Sequence, residues 1–354
     1  MADHDLSAGG DILDRVTACA RAALADYGVR PDADVRLLNV SENATFLVTD
    51  ADTGPSVLRV HRLGYHSQQA IASELVWMDA LRAEAGIRTP RVLPAADGRR
   101  IVSVADPGVS RRRGASRQEL EPYPATRCCV RFEFLPGTEP PGSDGGAAAA
   151  AHFAELGEIT ARMHAHARDW DRPAWFTRFR WDVDAAFGPQ PRWGRWQDGT
   201  GVGPAEAEIL GRLERTLRRR LAAFGTGPER FGLVHADTRL ANLLVHEGAT
   251  AVIDFDDSGF AWYLYDLGTA VSFFEHDPAV PGLVACWLDG YRRAGARLPA
   301  ADEAEIWTFI LFRRLLLVAW IGSHPAAAGA AELGAGYTRD SCELAEWYLS
   351  SHQP

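Results

Sequence analysis

Three polar side chains in the C-terminal half of the chain have the types and spacing of a site for a metal ion and a hydroxyl group. The segment HADTRLAN occupies residues 235–242, and VIDFDD occupies residues 252–257. The apolar runs LLV and AVI predict two short strands joined by a turn, which would bring Asp237, Asn242 and Asp254 together at one end of a hairpin. Asn242 and Asp254 supply the oxygen ligands that Mg²⁺ prefers. Asp237 is then left to orient a hydroxyl nucleophile.

The pattern HxDxxxxN…D resembles the catalytic signature of protein-kinase-like enzymes. In that signature the first Asp accepts the proton of the hydroxyl, while the Asn and the later Asp bind magnesium. The resemblance assigns these functions to Asp237, Asn242 and Asp254 in the same order. The alternative is an Asp-rich turn that caps strand ends. A metal hydrolase is disfavoured because no second His stands at ligand spacing.

Two charged residues beside this pattern have two interpretations each. Arg239 stands two residues after Asp237, where many protein kinases have Lys. It either neutralises the transferred phosphoryl group or pairs with a neighbouring carboxylate. Asp256 replaces the glycine of the kinase DFG motif, and it either contacts the metal or caps a turn.

A cation for the nucleotide phosphates is expected in the N-terminal part of the chain. The chain contains 37 Arg and no Lys, so Arg must take the place that Lys has in kinases. Arg59 lies in the strand-like run SVLRV, and Glu74 lies on a predicted helix with no cationic neighbour three or four positions away. We therefore expect Arg59 and Glu74 to form the strand–helix ion pair of kinases. The alternative is an exposed Arg and an unrelated helix Glu.

A polar hairpin precedes this strand, where kinases have a Gly-rich phosphate loop. The hairpin is LNVSENATFLV at residues 38–48. Ser41, Asn43 and Thr45 are able to bind phosphate from a turn. A hairpin tip that is merely polar would have the same composition, and both interpretations stay open.

The composition argues against several classes of protein. The 354-residue chain has a formal net charge of −10, which disfavours nucleic acid and anionic membranes as partners and favours a cationic ligand. The N-terminus is acidic and polar, unlike a signal peptide. The apolar stretch from Ile306 to Gly322 contains Arg313 and Arg314, which disfavours a membrane span. Five scattered cysteines indicate reduced thiols, and we expect a cytoplasmic protein.

The hydrophobic pattern predicts an α+β fold with two lobes. In residues 1–135 it predicts a small β-rich lobe with a five-stranded antiparallel sheet. The resemblance to kinases implies that this lobe binds the nucleotide. A solvated loop containing Arg111–Arg113 interrupts this region. A hinge at about 133–142 leads to a helical lobe, residues 136–354, which is expected to carry the catalytic loop and the acceptor site. The predicted helices cover residues 11–28, about 67–85, 147–167, 203–224, about 278–294, 301–321 and 338–350.

Other notable side chains are expected to be structural. His164 follows an apolar helical stripe and is predicted to be a core histidine, and His166 cannot share its face to form a metal pair. Arg313 and Arg314 have no acidic neighbour on their own helix, so they must pair with distant carboxylates, which we favour, or with an anionic ligand. The Trp-rich segment 175–196 either packs onto the helical lobe, which we favour, or lines an acceptor pocket.

Together these motifs resemble the aminoglycoside phosphotransferase, choline kinase and homoserine kinase group of kinase-like enzymes, over nearly the whole chain. The run DFDDSGFAWYLYDLG is especially similar to the bacterial homoserine-kinase-like and stress-response kinases. The resemblance implies a bilobal protein-kinase-like fold, adenine binding to backbone groups around Glu133 and Leu135, and a structural Asp266 that braces the catalytic segment. It also implies ATP or GTP as co-substrate and Mg²⁺ as cofactor.

The activity that we predict is transfer of the γ-phosphoryl group to a hydroxyl of a small molecule. An amino alcohol, an amino sugar or an aminoglycoside-like compound fits the acidic chain. The alternative is a Ser/Thr protein or peptide kinase of the stress-response type. A second alternative, a nucleotide-binding pseudo-enzyme, is disfavoured by the intact set of Asp237, Asn242 and Asp254. The sequence does not distinguish the acceptor or the oligomeric state.

Overall fold

The computed structural model describes residues 4–40, 43–107, 126–141, 147–324 and 330–351. Ser41 and the Arg111–Arg113 loop lie outside these residues. The chain forms two compact units. The first consists of Met1–Val76, Pro90–Leu135 and Trp175–Thr177, and the second of Trp77–Thr89, Pro136–Ala174 and Arg178–Pro354.

The first unit contains the predicted five-stranded antiparallel sheet. The strands are β1 (Asp34–Val40), β2 (Ala44–Asp50), β3 (Gly54–Val60), β4 (Val102–Ala105) and β5 (Thr126–Glu133). Their order in the sheet is β1-β2-β3-β5-β4, and every neighbouring pair is antiparallel. Strands β1 to β3 thus form a meander, and β5 and β4 extend it in reversed chain order.

Alternation along the strands gives the sheet one fully buried face. Phe46, Val48 and Leu58 point to this face and pack in one core with α1 (His4–Asp26), which contributes Leu24 among others. The side chains between them in sequence lie on the opposite, half-buried face. Helix α2 (Gln68–Glu84) follows β3. The sequence predicted strands in this region because β-branched residues cluster there.

The second unit is mainly helical. Its helices are α3 (Ala147–Asp169), α4 (Val183–Phe187), α5 (Pro204–Phe224), α6 (Tyr263–Ala270), α7 (Val280–Arg293), α8 (Ala300–Glu303), α9 (Ile306–Ser323) and α10 (Ala330–Ser351, kinked at Gly334). The prediction of one continuous helix over 301–321 is wrong, because the chain breaks at residues 304–305 between α8 and α9. The prediction also missed α4 and α6, which have too few residues to show a clear period.

Helix α3 packs closely on α7 through two glycines. A methyl group at Gly157 of α3 would overlap the carbonyl of Trp287, and one at Gly290 of α7 would overlap the carbonyl of Ala154. Glycine is therefore required at both positions. The close approach places His164 of α3 against Tyr291 of α7, with 3.0 Å between Nδ1 and the phenol oxygen.

The apolar segment Ala300–Ser323 is long and apolar enough to cross a membrane by composition alone. However, 78% of its most hydrophobic window is buried inside the structure. Arg313 and Arg314 lie in its middle, and both are buried. Helix α9 is therefore a core helix of the second unit.

Two short antiparallel sheets in the second unit frame the predicted catalytic segment. Strand β6 (Phe231–Val234) pairs with β9 (Gly259–Trp262). Strand β7 (Leu243–His246) pairs with β8 (Ala249–Val252), with Leu243 opposite Val252. The second pair is the predicted hairpin of the runs LLV and AVI.

Candidate active site

The hairpin β7–β8 brings Asn242 and Asp254 to the same end. Asn242 directly precedes β7 and ends a short 3₁₀ turn, Leu240–Asn242. The N–H of Ile253 donates a hydrogen bond of 2.9 Å to the carbonyl of Asn242. Asp254 is the next residue, so the two side chains that the sequence assigned to a metal ion lie on adjacent, hydrogen-bonded backbone.

The carboxylate of Asp237 accepts hydrogen bonds from three side chains. Asn242 Nδ2 donates to Asp237 Oδ2 at 2.7 Å, and also to the backbone oxygen of Asp237 at 2.7 Å. Arg313 Nη2 donates to Oδ1 at 2.8 Å. Arg239 Nε lies 3.1 Å from Oδ1 and 3.2 Å from Oδ2. Asp237 is thus held in one orientation at the start of the loop.

The two arginines keep Asp237 ionised. Burial by itself acts to raise the pKa of Asp237, but the positive charges of Arg239 and Arg313 outweigh it and lower the pKa to about 2. A carboxylate with this pKa is a hydrogen-bond acceptor and not a strong base. This is suited to a phosphoryl transfer in which the hydroxyl must mainly be oriented.

Asp266 braces the catalytic segment, as the family resemblance implied. Its Oδ1 accepts a hydrogen bond of 2.7 Å from the N–H of Ala236, and its Oδ2 accepts one of 3.3 Å from the N–H of His235. The carbonyl of Asp266 accepts a further hydrogen bond from Thr238 Oγ1 at 2.7 Å. One residue of α6 therefore fixes the backbone before Asp237 and the side chain of Thr238 after it.

His164 completes this brace and is the core histidine that the sequence predicted. It is fully buried, with Nε2 2.9 Å from Asp266 Oδ2 and Nδ1 3.0 Å from the Tyr291 hydroxyl. Burial lowers the pKa of His164, against the influence of Asp266. A neutral His164 donates from Nε2 to Asp266 and accepts at Nδ1 from Tyr291. His166 is instead paired with Glu84, at 3.1 Å.

The loop also depends on two residues in left-handed backbone conformation. Ala236 has φ of +66° and Asp254 has φ of +61°. Such angles are unfavourable for residues other than glycine and occur preferentially where function requires them. His235 connects the two places, because its Nε2 lies 3.1 Å from the carbonyl of Ile253.

The donor set fits a hard divalent cation. The amide nitrogen of Asn242 donates to Asp237, so its amide oxygen is the atom that is able to bind a cation. Asp254 provides a half-buried carboxylate as a second ligand. Across the part of the chain that the structure describes, no group of three or more His, Cys, Asp or Glu side chains could hold a metal ion. Two oxygen ligands completed by phosphate and water are typical of magnesium sites. Asp256 is buried, and its carbonyl accepts a hydrogen bond from Arg178.

In the first unit, the predicted ion pair between Arg59 and Glu74 is present. Arg59 Nη1 lies 2.7 Å from Glu74 Oε1, and the Glu74 side chain is fully buried. Thr45 lies opposite Arg59 in the β2–β3 register, so both are on the half-buried face. Asn43 is buried, and its Oδ1 accepts a hydrogen bond of 3.0 Å from the N–H of Arg62. Asn43 therefore links the start of β2 to the segment that follows β3.

The backbone around Glu133 and Leu135 follows the end of β5. Glu133 is anchored twice to Arg91, with its N–H on the Arg91 carbonyl and its Oε1 on the Arg91 N–H, both at 2.9 Å. Within the described ranges, no backbone hydrogen bond is made by the amide of Leu135. Because Leu135 follows the fixed end of β5, its N–H is able to donate a hydrogen bond to a planar base.

Arg313 and Arg314 do pair with distant carboxylates, as favoured, but with very different ones. Arg314 Nη1 lies 2.5 Å from Glu275 Oε2, in a buried network away from the loop. Arg313 pairs with Asp237 itself. The sequence assigned Arg313 no part in the site. Its only signal was a charge in an apolar helix without a local partner.

The Trp-rich segment 175–196 mostly packs, as favoured. Trp181, Trp193 and Trp196 are buried. Trp181 and Trp193 lie 4.7 Å apart between ring centroids, and the guanidinium of Arg313 lies 4.8 Å from the ring of Trp193. The segment thus reaches the catalytic loop indirectly, by covering Arg313.

Comparison with known proteins identifies the family. A family model described as "Phosphotransferase enzyme family" matches residues 34–304, which is more than half of the chain. The chain belongs to the phosphotransferase enzyme family. The family resemblance that the motifs indicated is thereby confirmed.

Solved structures that are similar to this chain have the same fold. A microcompartment-associated aminopropanol kinase is 46% identical, with a TM-score of 0.83, over 95% of this chain and 98% of that chain. The amicoumacin kinase hAmiN, solved with AMP-PNP, Ca²⁺ and Ami, is 20% identical with a TM-score of 0.71, over 93% of each chain. The protein-kinase-like α+β fold is therefore confirmed.

A curated relative has an activity of the predicted kind. Amicoumacin kinase of Bacillus subtilis (strain 168) is 27% identical over 73% of this chain and 68% of that protein. Together with the family match and the similarity to the aminopropanol kinase, this relative shows that the chain is a small-molecule kinase that uses ATP. The prediction of a kinase is confirmed, and the comparisons favour a small molecule over a protein as its substrate.

Proposed function

We propose that this phosphotransferase transfers the γ-phosphoryl group of ATP to the hydroxyl of a small amino alcohol of the aminopropanol type, with Mg²⁺ as cofactor. The observation that carries this proposal is the convergence at one loop of an ionised Asp237, held by Asn242, and of Asp254 on hydrogen-bonded backbone. In protein kinases the corresponding residues position the acceptor hydroxyl and the metal-bound phosphates.

Each residue of the loop has a distinct function in the proposed reaction. Asp237 accepts a hydrogen bond from the acceptor hydroxyl and takes its proton as the new O–P bond forms and the bond to the bridging oxygen of ADP breaks. Asn242 and Asp254 hold Mg²⁺, which when bound neutralises charge on the phosphates. Arg239, which is partly exposed, is close enough to Asp237 to neutralise the transferred group.

In the first unit, the proposed functions concern the nucleotide. Arg59, fixed by Glu74, binds the α and β phosphates in place of the usual Lys. Because Arg presents a planar fork and not a point charge, its contacts with phosphate differ from those of Lys. The hairpin residues Asn43 and Thr45 support phosphate binding, and backbone groups of Glu133 and Leu135 bind adenine.

An amino alcohol is the favoured acceptor for two reasons. The aminopropanol kinase that is 46% identical extends over 95% of this chain, so it supports a shared substrate class more strongly than the distant relatives do. The net charge of −10 also favours a cationic ligand. A stress-response-type protein kinase is the alternative.

The five cysteines are free thiols, which supports the proposed cytoplasmic location.

The test is ATP or GTP consumption by the purified enzyme with Mg²⁺ across an acceptor panel. The panel contains 1-amino-2-propanol, ethanolamine, choline, homoserine, an aminoglycoside and a generic protein substrate, with Asp237→Ala measured beside the wild type. We expect turnover with 1-amino-2-propanol that the variant lacks. Turnover only with the protein substrate, or equal turnover by the variant, would contradict the proposal.

A further inference from the structure

We infer that Arg313, in the middle of α9, is a positioning residue that fixes the carboxylate of Asp237 for the acceptor hydroxyl. This inference rests on the proposed function of Asp237. Arg313 lies 76 residues from Asp237 in sequence, and its Nη2 donates to Asp237 Oδ1 at 2.8 Å. It acts through Asp237 and not on the substrate.

The guanidinium of Arg313 is held from several directions. Its Nε donates to Ser272 Oγ at 3.2 Å, and its Nη1 donates to the Tyr265 hydroxyl at 3.1 Å. The ring of Trp193 lies against it, 4.8 Å from the guanidinium carbon. Only 3% of the side chain is exposed. A donor fixed at every nitrogen cannot follow a moving partner, so the partner must adopt the orientation that the donor sets.

Arg239 is held less tightly than Arg313: both contact an aromatic ring, but the Arg239 side chain is the more exposed of the two. It lies 3.1–3.2 Å from the Asp237 oxygens, and 31% of its side chain is exposed. Arg239 is therefore able to leave Asp237 for the transferred phosphoryl group while Arg313 stays. Without Arg313, Arg239 would be the only arginine that donates to Asp237 Oδ1 within the described part of the chain. Because Arg239 is able to move, the carboxylate would move with it.

Arg314 shows that burial alone does not explain Arg313. It is the next residue of the same helix and is equally buried. Its charge is balanced by Glu275, with further hydrogen bonds to Ser341 Oγ and the carbonyl of Tyr337. A buried arginine in α9 can thus be satisfied without any contact with the catalytic loop. Arg314 is the matched structural control.

The experiment compares Arg313→Met with Arg314→Met, each beside wild type and Asp237→Ala. Steady-state kinetics use Mg-ATP and 1-amino-2-propanol, or the best acceptor of the panel, and are normalised to the folded fraction measured by circular dichroism. We expect Arg313→Met to lower kcat by about 10²-fold with little change in KM for ATP, since misplacing a catalytic group costs rate without costing nucleotide binding. Arg314→Met should lower stability and leave kcat nearly unchanged.

Two further variants keep the inference testable if Arg313→Met does not fold. Arg313→Lys retains the charge and should restore part of kcat. The double variant Tyr265→Phe with Ser272→Ala leaves Arg313 in place but removes two of its anchors, and should lower kcat without raising KM for ATP. Equal effects of Arg313→Met and Arg314→Met on kcat, or an unchanged kcat in the double variant, would overturn the inference.

The Asp237→Ala variant separates the inference on Arg313 from the proposed function. If Asp237→Ala is inactive while Arg313→Met turns over like wild type, the inference on Arg313 fails and the proposed function stands. If Asp237→Ala retains full turnover, the proposed function itself fails.

Discussion

Asn242 donates to Asp237 twice, once to the carboxylate Oδ2 and once to the backbone oxygen, both at 2.7 Å. This double contact makes the two residues one unit. Asn242 orients the proposed catalytic carboxylate with its nitrogen and keeps its amide oxygen for a cation. The short 3₁₀ turn Leu240–Asn242 lies between Asp237 and β7 and ends at Asn242.

Asn242→Ala should weaken Mg²⁺ binding more than it lowers the free energy of unfolding. We expect the Mg²⁺ concentration for half-maximal turnover to rise by about 10- to 100-fold, the scale on which a change at or beside a metal ligand alters metal affinity. The measurement is initial rate against Mg²⁺ at fixed ATP. The control is His246→Ala, at the far end of β7, which should leave the Mg²⁺ dependence unchanged. An unaltered Mg²⁺ dependence in Asn242→Ala would exclude Asn242 as a ligand.

Asp266→Asn should cost both stability and rate. The amide would place an NH₂ group opposite the N–H donor of either His235 or Ala236. We expect the free energy of unfolding to fall by about 1–3 kcal/mol, because a buried N–H would lose its acceptor. Because the loop holding Asp237 would shift, kcat should also fall. Asp302→Asn is the control: Asp302 is a buried carboxylate paired with Arg230 at 2.8 Å, so it should lower stability in urea unfolding without lowering kcat of the folded enzyme.

Glu74→Gln should act on ATP. It keeps the shape of the side chain but removes the charge that holds Arg59 at 2.7 Å. A hydrogen bond to a charged group contributes about 1.5–3 kcal/mol, so KM for ATP should rise by about tenfold while KM for the acceptor changes little. Asp79→Asn, which alters a partly exposed pair on the same helix, should change neither. A larger effect on the acceptor than on ATP would contradict the assignment.

The ionisation of Asp237 predicts how stability depends on pH. Its pKa of about 2 in the fold lies below the ordinary value of 3.8. The ionised form is therefore favoured by folding, and its contribution, about 2 kcal/mol, is complete above about pH 4 and lost as the pH falls toward 2. The free energy of unfolding of wild type minus that of Asp237→Asn should be constant from about pH 8 to pH 5 and fall below about pH 4. A change between about pH 5 and pH 8 would mean that Asp237 titrates there.

The parts of this enzyme that the sequence predicted are those with local signals. Strands show alternation over a few residues, and Asp237, Asn242 and Asp254 lie within one loop and hairpin. Glu74 could be matched with Arg59 because it lacked a nearby partner on its own helix. Helix α6 was missed because it has only 8 residues and because all of them are buried, which removes the polar face on which periodicity depends.

The parts that could not be predicted depend on contacts between distant segments. Arg313 is 76 residues from Asp237, and His164 is 102 residues from Asp266. The sequence shows that a buried arginine needs a carboxylate, but not which of the 47 acidic residues it meets. Only the packing of α9 against α6 and the catalytic loop decides that Arg313 meets Asp237 and Arg314 meets Glu275.

The most direct test of the proposed mechanism is the turnover of Asp237→Asn, which keeps the shape of the side chain and removes its charge. Phosphoryl transfer to 1-amino-2-propanol and the affinity for Mg-ATP, by calorimetry, should be measured on the same samples. We expect kcat to fall by about 10²–10⁴-fold, the usual contribution of a general base, while nucleotide affinity stays within a few fold. A kcat close to that of wild type would contradict the assignment of Asp237.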